Sequence, residues 1–321
     1  MVQRFCLTLS RGDGAITTWP AGARPWRMTI YALVSLLLLT DWGWGLTVGL
    51  QIAGWWKTGA AACLLLAVSA AYRRRHTGIS IMTENAALWL ALGASGCVLT
   101  YLCATFKMPL QDARLEAIDL ALGFDWLAWR DLVLASPLLH WLLSASYASL
   151  MPQIVFSLLF LPSVGLSARC YELVLLSTST LIVTAWVSAL WPALGPFATY
   201  GGEDTIYLSH VLALRAGGPW HFDLATMQGI IVAPSYHTVL ALLFSFAHRK
   251  TGWVGWSVAG LNGIMLLSLP PIGGHYLVDM IAGSALTVIA IVAFQRFAST
   301  PARRTTAVAA YRAGETSIAA E

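Results

Sequence analysis

The sequence predicts an all-α fold: a polytopic membrane helix bundle of about eight transmembrane helices. Three observations predict it. Of 321 residues, 58% are hydrophobic and only 11% are charged, where soluble domains run about 45–50% apolar and about 25% charged. Mean hydropathy is +0.69. The apolar residues are gathered into runs of bilayer-spanning length, each needing about 20 residues. A soluble enzyme is excluded because this much apolar surface cannot be covered in water, and a disordered chain because its signature is the opposite. The net charge of +4 is dispersed along the chain, which argues against a nucleic-acid partner.

Residues 1–27 are polar and carry Arg4, Arg11, Arg24 and Arg27. A polar start of this length does not read as a cleaved signal peptide, and it is expected to stay as a cytoplasmic segment. Apolar runs follow near 28–48, 56–72, 85–106, 135–161, 170–191, 229–247, 253–270 and 275–295. They divide into N-terminal transmembrane helices (28–106) and a membrane domain (135–296) that holds the candidate catalytic residues. Between them, 107–134 mixes Asp112, Arg114, Glu116, Asp119, Asp125, Arg130 and Asp131 with Leu110, Leu115, Ile118, Leu120 and Leu122. That pattern predicts an interfacial amphipathic helix. The loop 192–228 and the tail 297–321 are the other polar pieces, the tail expected in the cytoplasm. Asp41, in Asp41-Trp42-Gly43-Trp44-Gly45, is either an intramembrane functional acid or part of an interfacial kink. Trp55, Trp56, Trp126, Trp129 and Trp220 fit aromatic belts.

Orientation follows from Lys and Arg. With the N-terminus inside and the runs alternating, the outer side holds five (Lys57, Lys107, Arg114, Arg130 and Arg215), leaving 14 of the 19 inside. Both termini are therefore expected in the cytoplasm.

The chemistry sits at two helix starts. In Pro234-Ser235-Tyr236-His237 the proline sets a turn, Ser235 is a good N-cap, and His237 falls in the first turn, where free N–H groups favour an anion. In Pro270-Pro271-Ile272-Gly273-Gly274-His275 the prolines and glycines end one helix and His275 opens the next. Asp279 lies four residues on, on the same helix face. A carboxylate bonded to one ring nitrogen fixes the tautomer and raises the basicity of the other. Lys250 follows His237 by about 20 Å of helix and Arg296 follows His275 by about 32 Å, so both histidines belong to the outer side. His76, His140 and His248 read as interface or packing residues. Cys6, Cys63, Cys97, Cys103 and Cys170 have no metal-ligand spacing and read as small packing residues. No metal and no cofactor are expected.

Pro234-Ser235-Tyr236-His237 and His275-Tyr276-Leu277-Val278-Asp279 resemble the second and third motifs of the type 2 phosphatidic acid phosphatase superfamily. Tyr276, the run Gly229–Ala233, and Trp191-Pro192-Ala193-Leu194-Gly195-Pro196 look closer to its inositol phosphorylceramide synthase branch. The likeness covers roughly residues 105–296. It implies a six-helix phosphatase-type core and metal-independent phosphoryl transfer. His275 would attack phosphorus, Asp279 would orient it, and His237 would protonate the leaving oxygen. Backbone N–H groups of Ser235 and Tyr236 would hold the phosphate. The substrate implied is a phospholipid or lipid phosphate, with ceramide, diacylglycerol or water as acceptor. A non-catalytic transporter or scaffold is the rival from another class.

Two positions depart from the superfamily pattern. Leu269 stands where an arginine is usual, six residues before His275, and Gly195-Pro196-Phe197 lacks the first motif's cations. Arg215 is the outer-side candidate to supply positive charge to the phosphate. His210 and His221 are weaker candidates, and Glu203, Asp204 and Asp223 read as solvating the loop.

Overall fold

The computed structural model describes residues 24–202 and 206–318, with side chains over 26–202 and 206–297. Most of the expected 1–27 segment, Cys6, Glu203 and Asp204 lie outside the described residues. The chain order is α1 (Arg24–Val48), β1 (Leu50–Ala53), α2 (Trp55–Tyr72), α3 (Thr77–Ala104), α4 (Asp112–Ala121), α5 (Trp126–Ala135), α6 (Pro137–Ala148) and α7 (Leu150–Ser163). There follow α8 (Ser167–Leu190), α9 (Phe197–Tyr200), α10 (Ile206–Ala216), β2 (Trp220–Asp223), α11 (Tyr236–Ala247), α12 (Trp253–Gly273) and α13 (Leu277–Ile318).

The fold is an all-α membrane bundle. Among the described residues five helices are long and apolar enough to cross a membrane: Trp26–Val48, Thr77–Ala104, Ser167–Leu190, Trp253–Gly273 and Leu277–Phe297. The pair α6 and α7, bent by 49°, makes a sixth if it is one span. The apolar runs at 56–72 and 229–247 fall short of that test. The first forms α2, of 18 residues, with Lys57 in its first turn. In the second only the 12 residues of α11 are helical. Twelve residues cover about 18 Å, against a hydrocarbon core of about 30 Å. Non-helical backbone at such depth is tolerated where protein covers it, and Ile230, Val232 and Ala233 are buried.

The core gathers around α8 and α11. Tyr171 and Leu173 of α8 pack with Val239, Leu243 and Phe244 of α11, Leu99 of α3 and Met265 of α12. The periphery is apolar instead: Trp42, Leu64, Trp141 and Trp256 are each more than 60% exposed. That inversion is what lipid as solvent permits. Asp41 is buried and accepts a hydrogen bond from Ser95, tying α1 to α3. A second polar tie holds α1, α3 and α8 together: Glu84 accepts from Arg27 (2.5 Å), Tyr31 (2.5 Å) and Tyr171 (2.7 Å).

Two local departures from expectation stand out. The amphipathic segment forms two helices, α4 and α5, broken at Gly123 with φ 81°. On α4 the apolar side chains Ile118 and Leu120 face out while Asp119 is buried, so its polar face is turned into the protein. The all-α expectation also missed a two-stranded parallel pairing of β1 with β2, in register Leu50 with Trp220 through Ala53 with Asp223.

Candidate active site

The site lies where α11 and α13 begin. Ala233–Pro234 is cis, and Ser235 then caps α11, its hydroxyl accepting from the Thr238 N–H at 3.3 Å. Of the prolines and glycines expected to end α12, the glycines do so: the helix runs through Pro270 and Pro271 to Gly273 and stops on left-handed Gly274. Pro271 cannot donate to Leu267, four residues back. The Trp129 indole supplies that bond at 3.2 Å, and Trp126 donates to the Pro270 carbonyl at 2.9 Å. These two tryptophans brace the helix end rather than simply lining an aromatic belt.

This geometry brings His237, His275, Asp279 and Ser235 together. The two imidazoles are 5.7 Å apart, centroid to centroid, at 64°. His275 Nδ1 donates to the Val232 carbonyl at 3.1 Å and to Asp279 Oδ2 at 3.3 Å. Both partners are acceptors, so the proton sits on Nδ1 and Nε2 carries the lone pair as an acceptor. Nε2 faces the Ser235 hydroxyl at 3.5 Å. Asp279 Oδ2 also accepts the Tyr276 N–H at 3.1 Å. His275 and Asp279 are buried, at 2% and 1% exposure, whereas His237 is half-buried and stacks on Tyr147 of α6 with centroids 5.1 Å apart.

The expected phosphate cradle is narrower than the sequence implies. The Ser235 N–H is already donated to the Asp279 carbonyl at 3.0 Å. The Tyr236 hydroxyl points away, to the Ser177 carbonyl at 2.8 Å. What remains at this helix start are the first-turn N–H groups of Tyr236 and His237, which have no partner four residues back. Gly283 permits the close approach of α13: a Cβ there would lie 2.5 Å from the Ser235 carbonyl oxygen.

The segment 191–196 packs against the same site. A Cβ on Gly195, which has φ +83°, would meet the Gly274 carbonyl at 2.5 Å. Asp112 of α4 accepts from the N–H groups of Leu194 (3.0 Å) and Gly195 (2.8 Å) and from the Tyr276 hydroxyl (3.2 Å). Asp119 accepts from the N–H groups of Leu277 (2.7 Å) and Val278 (2.8 Å). Burial pushes the Asp119 carboxyl above its ordinary value, opposed by those two bonds. Asp112, Asp119, Tyr147 and the Val232 carbonyl were missed as site groups in the sequence. The one available signal was the seven-residue spacing that puts Asp112 and Asp119 on one face of α4.

Arg215 is not brought to the histidines. It sits in the last turn of α10 and donates to the Met108 carbonyl at 3.0 Å. Leu269, at the usual arginine position, is fully buried. Among the described residues no Lys or Arg donates to His237, His275, Asp279 or Ser235. His210 pairs with the Tyr101 hydroxyl at 2.6 Å, and burial lowers its pKa. His221 lies exposed on β2, and Asp223 accepts from the Ala225 N–H at 2.9 Å, closing a turn. Among the described residues no group of three or more His, Cys, Asp or Glu converges as metal ligands.

The sequence profile of the PAP2 superfamily matches residues 113–293, more than half of the chain. The protein belongs to the PAP2 superfamily. No curated protein and no solved structure matched it. The matched stretch runs from α4 into α13 and so includes both helix starts and the 191–196 loop. Membership makes this an integral membrane enzyme of the lipid phosphatase and phosphotransferase type, acting on a lipid phosphate substrate.

Proposed function

We propose that this PAP2 superfamily member transfers a lipid head group through a phosphohistidine on His275, in the manner of the inositol phosphorylceramide synthase branch. One observation carries the reading. The Nδ1–H of His275 is held by Val232 and Asp279, leaving the Nε2 lone pair on the side of Ser235 and His237.

The donor phosphodiester binds with its phosphate at the start of α11, against the Tyr236 and His237 N–H groups. His275 Nε2 attacks phosphorus, and the bond from phosphorus to the leaving oxygen breaks. His237 donates a proton to that oxygen. Asp279 stabilises the positive imidazole that forms. In the second half His237, now neutral, takes the proton of an acceptor hydroxyl, whose oxygen attacks the phosphohistidine and frees His275. The acceptor is ceramide or diacylglycerol. Support for an alcohol rather than water comes from Tyr276 and the 191–196 segment, whose likeness is to the synthase branch. The second is seated directly on the turn before His275. With His237 at the outer end of α11, the site opens to the outer leaflet or lumen and both termini are cytoplasmic.

The test is purified protein given a panel of labelled phospholipids, with and without ceramide and diacylglycerol, and products read by mass spectrometry. Head-group transfer to an added lipid alcohol is expected, abolished in His275→Ala. Release of free phosphate or head-group phosphate alone would make water the acceptor. Full activity in His275→Ala would overturn the mechanism.

A further inference from the structure

The first turn of α13 has no cap of its own. Its N-cap position is Tyr276, whose side chain is too long to fold back onto the N–H groups of the next turn and reaches Asp112 instead. Small polar residues normally fill this position because their oxygens accept those orphan donors. Here the acceptor comes from α4. The buried Asp119 carboxylate takes the Leu277 N–H on one oxygen and the Val278 N–H on the other. Asp279 takes the backbone N–H of Tyr276 along with the ring Nδ1–H of His275. Two carboxylates thus divide the donors at this helix start, and only one of them faces the imidazole.

We propose that Asp119 is a positioning residue for the reaction at His275: by capping α13 from α4, it keeps the Asp279 carboxylate free to hold the imidazole. The proposal rests on the phosphohistidine reading. Both Asp119 oxygens are spent on backbone, so it has no acid–base part. Without it, two N–H groups would stand unpaired in a buried site, a costly state. Asp279 is the acidic residue of that turn, and it would be drawn towards them and off Nδ1. Asp112, on the same face of α4, fixes the facing side of the site through Leu194, Gly195 and Tyr276. The interfacial helix therefore clamps both segments that frame His275.

The experiment compares wild type with Asp119→Ala, Asp119→Asn and His275→Ala. Each is purified in detergent and measured for kcat, KM, melting temperature and labelled phosphate trapped on His275. A displacement of about 1 Å at a reacting centre costs about 100-fold in rate. Asp119→Ala is expected to lower kcat by about that factor, with KM changed by less than about threefold. Phosphoenzyme formation should slow in parallel. Asp119→Asn keeps one carbonyl acceptor and should recover about tenfold of the loss. If Asp119→Ala melts lower but its folded fraction turns over at the wild-type rate, Asp119 is only a staple and the proposal fails while the His275 reading stands. If His275→Ala keeps the wild-type rate, the reading fails and takes the proposal with it. Should the alanine variant not fold, the same kcat and KM split in Asp119→Asn decides.

Discussion

His275 Nδ1 lies 3.1 Å from the Val232 carbonyl oxygen, nearer than the 3.3 Å that separates it from Asp279 Oδ2. The tautomer therefore has two holders, one of them backbone. Where a lone aspartate holds a catalytic imidazole, its asparagine variant loses about 10⁴-fold, through the wrong tautomer. Here Asp279→Asn should lose charge stabilisation but keep the tautomer, and kcat should fall by about 100-fold. A loss near 10⁴-fold would mean that Val232 does not hold the ring during turnover.

His237 is the acid for the leaving oxygen in the proposed cycle, and it does not bond to His275. His237→Ala should still fold and bind substrate. A donor with a good leaving group needs no acid, so labelled phosphate should accumulate on His275 with that donor and not with a natural phospholipid. Equal trapping from both donors would remove His237 from the leaving-group step. Activity of the wild type should survive EDTA, because the covalent histidine route calls on no metal. Loss on chelation, restored by magnesium, would point to metal-assisted transfer.

Gly283 sets the distance between the two helix starts. An alanine there puts its Cβ 2.5 Å from the Ser235 carbonyl, a backbone atom that cannot swing aside. Gly283→Ala should destabilise by about 1–3 kcal/mol, as overpacking does, and lower kcat by separating His237 from His275. Wild-type melting and turnover would show that α13 slides without cost.

Arg215 donates to Met108 rather than to the histidine site. Arg215→Ala should leave kcat within about threefold, with any change falling on KM. A large drop in kcat, partly restored by lysine, would make it the missing phosphate cation after all.

Orientation is proposed from charge: with the apolar runs alternating from a cytoplasmic N-terminus, all but five of the 19 Lys and Arg residues would fall on one side. In a cysteine-free background, Ser209→Cys and Ala216→Cys, both at exposed positions of α10, should react with an impermeant thiol reagent in intact cells. Thr251→Cys should react only after permeabilisation. The reverse pattern would put the histidines on the cytoplasmic side.

The sequence by itself determined the class of this protein and the local placement of its candidate reactive residues. Apolar excess and run length are properties of composition, so they need no knowledge of packing. Pro-Ser-x-His and the four-residue step from His275 to Asp279 are local, because helix geometry alone puts those groups on one face. Only the tertiary structure decided what surrounds them. Val232 becomes a partner of His275 because residues 229–235 are not helical, which hydropathy does not reveal in an apolar run. Asp119 reaches Leu277 across 158 residues, and Asp112 reaches Tyr276 across 164. Periodicity shows that the two carboxylates share a face of α4. It says nothing of which buried N–H groups that face will meet, since that is set by the docking of α4 against the start of α13.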